Sequence, residues 1–495
     1  MDQYDVIIIG GGVVGCMTAR MLSRYRLRIL LIDKESDVGS VTSAANSAMV
    51  HAGYDPIPGS LKAKLNVRGN AMFEELSQEL DFPYSRSGDY VVAVGEGERN
   101  SLQKLYEQGI ANGVPGIEII SADETRKRIP GINPETSGAI WAPTGGFCDT
   151  FGVCYAAAEN ALLNGVEIRL ETEFLDFLYD GKKIIGIKTN RGDFYSKWVI
   201  NEAGLYSDAV MHQAGCRLDF QIRPRRGEYL IMDEADFSID TVLFPVPTEK
   251  GKGVLIFDTT HGNTILGPTS EWIDDKEDKS TTVSGQAYLT ENVKKLMPDI
   301  NLRAVIGAFS GLRATGNNIY TNAAGQSSPD FIVEAAEEHE GLINTAGIES
   351  PGLTSSPAIA EMVCEILRDK GLSLAEKKDW NPIRKRRPCP RHLSLDERQK
   401  LIEKDPRYGK VICRCEGVTE GEIVAEIHAP LPARTYDAIK RRTWAGTGRC
   451  QGGFDIFRIT AILSRELGIS PLEVTKKGAG SEFLFCPSKG KESGK

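Results

Sequence analysis

The sequence predicts an α/β protein: a parallel sheet wound with helices, interleaved with a second, mixed sheet, and followed by a small helical module. Three observations predict it. The chain opens on a short β-branched run, Val6-Ile7-Ile8-Ile9, which leads into glycines and a helical pattern through Tyr25. Alternating stretches such as "YVVAVG" (90–95) and "GVLIFDTT" (253–260) fill the middle of the chain. Near the end stand two cysteine segments, Cys413-Arg414-Cys415 and Cys450-Gln451-Gly452-Gly453, with "KRRT" between them.

Composition bounds the reading. With 495 residues, and roughly 100–200 residues per domain, about two to four domains are expected. The net charge of −9 argues against a general nucleic-acid binder, which would carry a basic face. "MDQYDVIIIGGG" lacks the basic n-region of a signal peptide. No apolar run is long enough for a membrane span. A cytoplasmic protein with mostly reduced cysteines is expected. Cys16, Cys148, Cys154, Cys216 and Cys364 sit in apolar or Gly-rich contexts and read as buried, inert thiols.

The first strand is apolar on both faces, as a buried parallel strand must be. Gly10, Gly12 and Gly15 follow it as G-x-G-x-x-G. Gly10 permits the tight turn, Gly12 lets a pyrophosphate approach the backbone, and Gly15 lets the helix pack on the strand. The helix N-terminus then offers free N–H groups to phosphate. A second buried strand, Ile29–Ile32, ends in Asp33, which can accept ribose hydroxyls; Lys34 beside it joins the cofactor-binding candidates. This is a Rossmann-like dinucleotide site.

Three further stretches carry a family resemblance. They are "WVINEAGLYSDAV" (198–210), "LINTAGIESPGLTSSPAIAEMVCEIL" (342–367) and "TSAANSAMVHAGYD" (42–55). They resemble the FAD-dependent D-amino-acid-oxidase-like superfamily. The resemblance implies that Ala203, Gly204 and Asp208 close the dinucleotide domain. It implies that Ser43, Asn46 and Ser47 run along the flavin, with His51 near the ring. It also implies that the helix begun by Gly352, Leu353 and Thr354 points its positive end at the flavin. From about residue 1 to 480 the chain resembles the large subunits of anaerobic glycerol-3-phosphate dehydrogenases. "TYDAIKRRTWAGTGRCQGG" (435–453) resembles their bacterioferritin-associated-ferredoxin-like [2Fe–2S] module. The flavin half also resembles L-2-hydroxyglutarate dehydrogenases around "NSAMVHAG".

The expected organisation is an FAD-binding domain at 1–80, 145–210 and 325–375, with a mixed-sheet substrate domain at 81–144 and 211–324. A linker (381–407), the helical [2Fe–2S] module (408–470) and a tail (471–495) follow. The basic run Arg384–Arg387 reads as a solvated strap.

Oxidising a secondary alcohol needs a base, a hydride acceptor and a clamp for an anionic group. Flavin is the acceptor. His51 is the candidate base, with packing beside the flavin as the other reading. Arg313 in "SGLRATG" suits a phosphate or carboxylate clamp. Lys252 and Arg226 are weaker candidates, and His261 reads as a loop residue. The resembling iron–sulfur modules use four cysteines. Here Cys413, Cys415 and Cys450 fit, and Asp455 stands where the fourth would be. Cys486, Cys389, a zinc site or no metal stay open beside it. The expected activity is oxidation of sn-glycerol 3-phosphate, with electrons leaving through the [2Fe–2S] cluster to a second flavoprotein or Fe–S subunit of a hetero-oligomer. An L-2-hydroxy acid substrate and a non-catalytic relay subunit are the alternatives.

Overall fold

The computed structural model describes residues 3–217, 220–247 and 253–487. Lys252 and the last eight residues of the tail lie outside them. Contacts divide the chain into two units, Met1–Lys34 with Gly39–Arg384, and Glu35–Val38 with Lys385–Lys495.

In the first unit, strand Gln3–Ile9 is the centre of an eight-stranded sheet. It pairs in parallel with Ile29–Ile32 on one side and Gly192–Asn201 on the other. Val6, Ile7 and Ile8 are fully buried: helix residues such as Ala19 and Ile359 cover Val6 and Ile8, and Phe177, Ile184, Phe194 and Val210 cover Ile7. Helix Val13–Leu22 packs on this sheet beside helix Gly352–Asp369 through Ala19, Leu22, Ile359, Val363 and Leu367. Helix Thr150–Leu163 starts at Asp149, whose carboxylate accepts the N–H groups of Phe151 and Gly152.

A nine-stranded mixed sheet forms the other half of this unit. All its strands come from 81–144 and 211–324, and all eight strands of the first sheet come from 1–80, 145–210 and 325–375. Its longest pairing is antiparallel, between Ile222–Met232 and Val305–Gly316, in a register that sets Arg225 opposite Arg313 and Tyr229 opposite Phe309. Gly311 on this pair is obligatory: a Cβ there would fall 1.8 Å from the Ala45 carbonyl oxygen. The sheet and the loop after residue 42 therefore meet backbone to backbone.

The second unit is small and mostly helical. Its hairpin, Val411–Cys413 with Val418–Thr419, leads into helix Glu420–Ile427, which a Thr419–Glu422 capping box starts. Helices Tyr436–Thr443 and Ile456–Leu467 close a core around Ile423, Ile439, Ile459 and Leu463. Residues 381–389 hold no helix or strand.

The basic run departs from the solvated strap expected of it. Arg384, in the first unit, is buried and donates to Glu159 Oε2 at 2.7 Å and to the Leu80 carbonyl at 3.2 Å. In the second unit, Arg387 donates to Glu426 at 2.7 Å. A buried guanidinium needs a partner, and the buried Glu159 supplies it.

Candidate active site

The three glycines after the first strand differ in what surrounds them. Gly10 has φ +114° and lies on the Glu202 carbonyl, 2.3 Å from where a Cβ would be. A Cβ on Gly15 would fall 1.9 Å from the Gly10 carbonyl oxygen. Gly12 alone is open, with only Ser43 Oγ at 3.4 Å. Gly10 and Gly15 are thus required by the protein itself, and Gly12 leaves space for something else. Asp33 accepts the Gly11 N–H at 2.6 Å, which fixes the turn against the end of the second strand. Ser43 Oγ accepts the Val13 N–H at 2.9 Å. Lys34 lies 4.1 Å from the centre of the Tyr206 ring and 3.6 Å from Glu277.

Loop 42–51 is held at many points. The Asn46 amide donates to the Ser43 carbonyl and Thr150 Oγ1, both at 3.0 Å, and accepts from Ala48 N–H at 2.7 Å. Asn46 thereby shapes the loop and holds Ala48 at φ +54°. Thr354 ties this loop to the helix beginning at Gly352. Its hydroxyl accepts the His51 N–H at 2.9 Å and donates to the Met49 carbonyl at 3.1 Å. That helix has no side-chain cap, so its first N–H groups keep their positive end, with Leu353 half-buried in the first turn. Asn66 and Asn70 donate to the His51 carbonyl at 2.7 and 3.1 Å. The His51 ring Nε2 lies 3.2 Å from Ser350 Oγ.

Ser350 follows Glu349, the centre of a charge cluster. Glu349 accepts from Lys62 Nζ at 2.8 Å, Arg225 Nη2 at 2.7 Å and Thr315 Oγ1 at 2.7 Å. Burial alone would raise the Glu349 carboxyl, but Lys62 and Arg225 hold it down at about 2. Arg313 Nη2 donates to the Thr269 carbonyl at 3.1 Å. Its Nη1 is buried with no hydrogen-bond partner, as is Arg225 Nε. Burial lowers the pKa of Arg313, and the adjacent Tyr229, stacked on Phe309 at 4.7 Å, opposes that shift. Ser47 also bonds Tyr229.

Strand alternation separates Arg225 from Arg226. Arg226 lies on the opposite face, donating to Glu271 at 2.6 Å and Asp278 at 2.8 Å, and so serves a structural ion network. Sequence reasoning missed Arg225, whose face is fixed only by the pairing that sets it opposite Arg313. Asp208 takes part in a structural knot, accepting from Ile222 N–H at 2.9 Å and Lys276 Nζ at 2.7 Å. Ala203 and Gly204 lie on the turn that follows Glu202, and a Cβ on Gly204 would meet nothing within 4 Å. His261 is a hairpin-loop residue with Nδ1 at 3.1 Å from Thr260 Oγ1.

In the second unit the four candidate ligands gather as two pairs. Cys413 is buried, receives the Gly446 N–H at 3.4 Å and lies beside the Asp455 carboxylate. Burial pushes its thiol up to about 12, with Asp455 adding to that shift. Asp455, also buried, accepts the Tyr436 hydroxyl on Oδ1 at 3.1 Å, while Oδ2 has no partner. Cys415 is exposed, and its free thiol lies within hydrogen-bonding reach of the free Cys450 thiol. No group of three or more His, Cys, Asp or Glu side chains among the described residues is placed to hold a single metal ion. Two pairs of ligands match a binuclear cluster, in which four protein ligands are shared between two irons. Of the alternatives, Cys389 lies against Glu422 and Cys486 is exposed.

The family described as FAD dependent oxidoreductase (DAO) matches residues 5–366. The chain belongs to that family. A BFD-like [2Fe-2S] binding domain matches residues 411–463. This FAD-dependent oxidoreductase is 44% identical, over 98% of its length and 99% of the relative's, to a glycerol 3-phosphate dehydrogenase of Caloramator mitchellensis. It is 30% identical to the mitochondrial L-2-hydroxyglutarate dehydrogenase of Caenorhabditis briggsae, covering 73% of this chain and 93% of that one. Among solved structures it is similar to the dithionite-reduced, FAD-bound L-alpha-glycerophosphate oxidase of Mycoplasma pneumoniae. The TM-score there is 0.71 and the identity 31%, covering 79% of this chain and 100% of that one. No helix among the described residues is long and apolar enough to cross a membrane.

The oxidoreductase's residues fit both cofactors: the open Gly12 and the uncapped helix end suit FAD, and three thiols with the unpartnered Asp455 Oδ2 suit the cluster. Beneath the glycine turn lies Glu202, which neither sequence motif assigned. Its Oε1 accepts Thr18 Oγ1 at 2.8 Å, its Oε2 has no partner, and burial pushes its carboxyl up to about 8. The folded state therefore holds a proton that the unfolded chain releases near its ordinary value of 4.5. This contribution is fully present below pH 4.5 and lost as pH rises to about 8. The melting temperature of Glu202→Gln, followed across that range, should lack this component of the wild-type decline.

Proposed function

We propose that this FAD-dependent oxidoreductase oxidises sn-glycerol 3-phosphate to dihydroxyacetone phosphate. The observation that carries the reading is the charge cluster around Glu349, whose chain neighbour Ser350 has its Oγ 3.2 Å from His51 Nε2. Lys62, Arg225 and Arg313 are three cations around a single carboxylate, Glu349. The surplus positive charge, with unpartnered Arg313 Nη1 and Arg225 Nε, suits a dianionic phosphate. His51, its backbone fixed by Thr354, Asn66 and Asn70, takes the hydroxyl proton. Bound FAD supplies the two-electron oxidant that turns an alcohol into a ketone. Cys413, Cys415, Cys450 and Asp455 would hold the [2Fe–2S] cluster, which would supply a one-electron outlet to a second flavoprotein or Fe–S subunit in a hetero-oligomer. Similarity to glycerol 3-phosphate dehydrogenase over nearly the whole chain supports the substrate.

A second substrate, L-2-hydroxyglutarate, is favoured by the relative at 30% identity and is also dianionic. A substrate panel with purified enzyme and a dye acceptor separates the two. Glycerol 3-phosphate should lead by at least about a hundredfold in kcat/KM, since a site built for the three oxygens of a phosphate leaves donors unpaired with the two of a carboxylate. Preference for the hydroxy acid would replace the first reading. Turnover of neither, by FAD-loaded protein, would make the chain a relay subunit. Arg313→Ala should lower kcat/KM for the preferred substrate by about 2–5 kcal/mol, the scale for losing one partner of a buried charged contact. An effect within a few-fold would make Arg313 structural.

A further inference from the structure

The module's cysteine-bearing edge has a surface that the oxidation chemistry leaves unused. Phe454 and Phe457 are 83% and 72% exposed, although large aromatic side chains are usually covered. They flank buried Asp455 at the start of helix Ile456–Leu467. Arg414, Arg449 and Arg458 are exposed on the same segments, as is Cys415. Within these segments the two acids, Asp455 and Glu416, are buried, and Glu416 pairs with Arg391 at 2.8 Å. Every exposed charge in 411–417, apart from the ends of the chain segment, and in 441–458 is therefore positive. The wider sequence agrees. Residues 385–495 carry 22 Lys and Arg against 14 Asp and Glu, a net of +8 in a chain whose net charge is −9. Basic charge is concentrated where electrons would leave.

We propose that Phe454, Phe457, Arg414, Arg449 and Arg458 form the docking surface for an acidic protein that carries one electron at a time. The aromatic pair supplies apolar anchors and the arginines steer and orient an oppositely charged face. Each alcohol oxidised releases two electrons and two protons, so two oxidised carriers are each reduced by one electron and both protons go to solvent. The proposal rests on the [2Fe–2S] reading of the module.

The probe is soluble cytochrome b5, an acidic one-electron carrier, with basic cytochrome c as the opposite-charge control and a neutral quinone as a non-docking acceptor. Holoenzyme reduces each with glycerol 3-phosphate as donor. Cytochrome b5 should be reduced faster than cytochrome c, and the rate should fall as salt rises from about 0.01 to about 0.15 M, which shortens the screening length from about 30 to about 8 Å. Arg458→Glu should slow cytochrome b5 by about tenfold or more, and Phe457→Ala several-fold, with quinone reduction unchanged. Equal rates for the two cytochromes, or an unaffected Arg458→Glu, overturn the proposal. So does sedimentation of the chain alone as a dimer that Phe457→Ala dissociates, because a second copy then covers the surface. Iron and sulfide content keeps the two readings apart. If the cluster is missing, direct binding of cytochrome b5 at low salt and its loss in Arg458→Glu still decide docking.

Discussion

Gly12→Val should yield a folded, colourless protein that does not retain FAD. The three glycines of the turn make this variant informative. Side chains at Gly10 or Gly15 would collide with backbone, 2.3 Å from the Glu202 carbonyl oxygen and 1.9 Å from that of Gly10. Those substitutions would deform the turn itself. At Gly12 the protein offers room, with Ser43 Oγ at 3.4 Å, and the backbone is extended at φ −71° and ψ −179°, which a β-branched residue adopts readily. Valine there fills the space where the pyrophosphate approaches the backbone, so its cost falls on the cofactor. Purified Gly12→Val should hold less than about a tenth of the wild-type FAD, because the motif leaves the pyrophosphate no other approach. Its circular dichroism and apoprotein melting temperature should match those of the wild-type apoprotein. A yellow Gly12→Val preparation would place the dinucleotide elsewhere, and a chain that fails to fold would show that Gly12 also serves packing. Gly15→Ala, by contrast, should lower the melting temperature of the apoprotein as well.

What was legible in the sequence followed the range of the interaction. Gly10, Gly12 and Gly15 act within one turn, so their spacing carries their roles. The interleaving of the two sheets was legible because apolar runs and alternating runs occupy different segments. The anion cluster was only half legible. Arg313 was marked by its glycine-flanked motif, but Arg225 was hidden beside Arg226, where one residue decides the face and only the pairing with Val305–Gly316 fixes it. Glu349 and Lys62 are 287 positions apart, and nothing local announces their contact. The same limit applies to Arg384, whose partner Glu159 is 225 positions away. Charge alone reads as solvated surface until the fold supplies a buried counter-charge.

Asp455→Ala should remove or destabilise the [2Fe–2S] cluster, and Asp455→Cys should retain it. Asp455 is 1% exposed, and its Oδ1 is occupied by the Tyr436 hydroxyl while Oδ2 is left without a partner. An unpaired buried carboxylate oxygen is costly, on the order of 1–3 kcal/mol or more, and coordination to iron would offset that cost. Three cysteines and one carboxylate complete four anionic ligands, although the carboxylate is the harder donor. Wild-type protein prepared without oxygen should contain two irons and two acid-labile sulfides per chain, the composition of this cluster type, and its reduced form should give an EPR signal distinct from a flavin radical. In Asp455→Ala the iron and sulfide should drop together, with FAD retained because its ligands lie in the first unit. Asp455→Cys should keep both irons and lower the reduction potential, since a thiolate donates more charge than a carboxylate. Cys486→Ser, at an exposed tail position, should change neither content nor signal. Loss of the cluster in Cys486→Ser with retention in Asp455→Ala would transfer the fourth ligand to the tail. Zinc without sulfide in the wild type would mean that the paired ligands do not hold iron, leaving the flavin site intact but without this outlet.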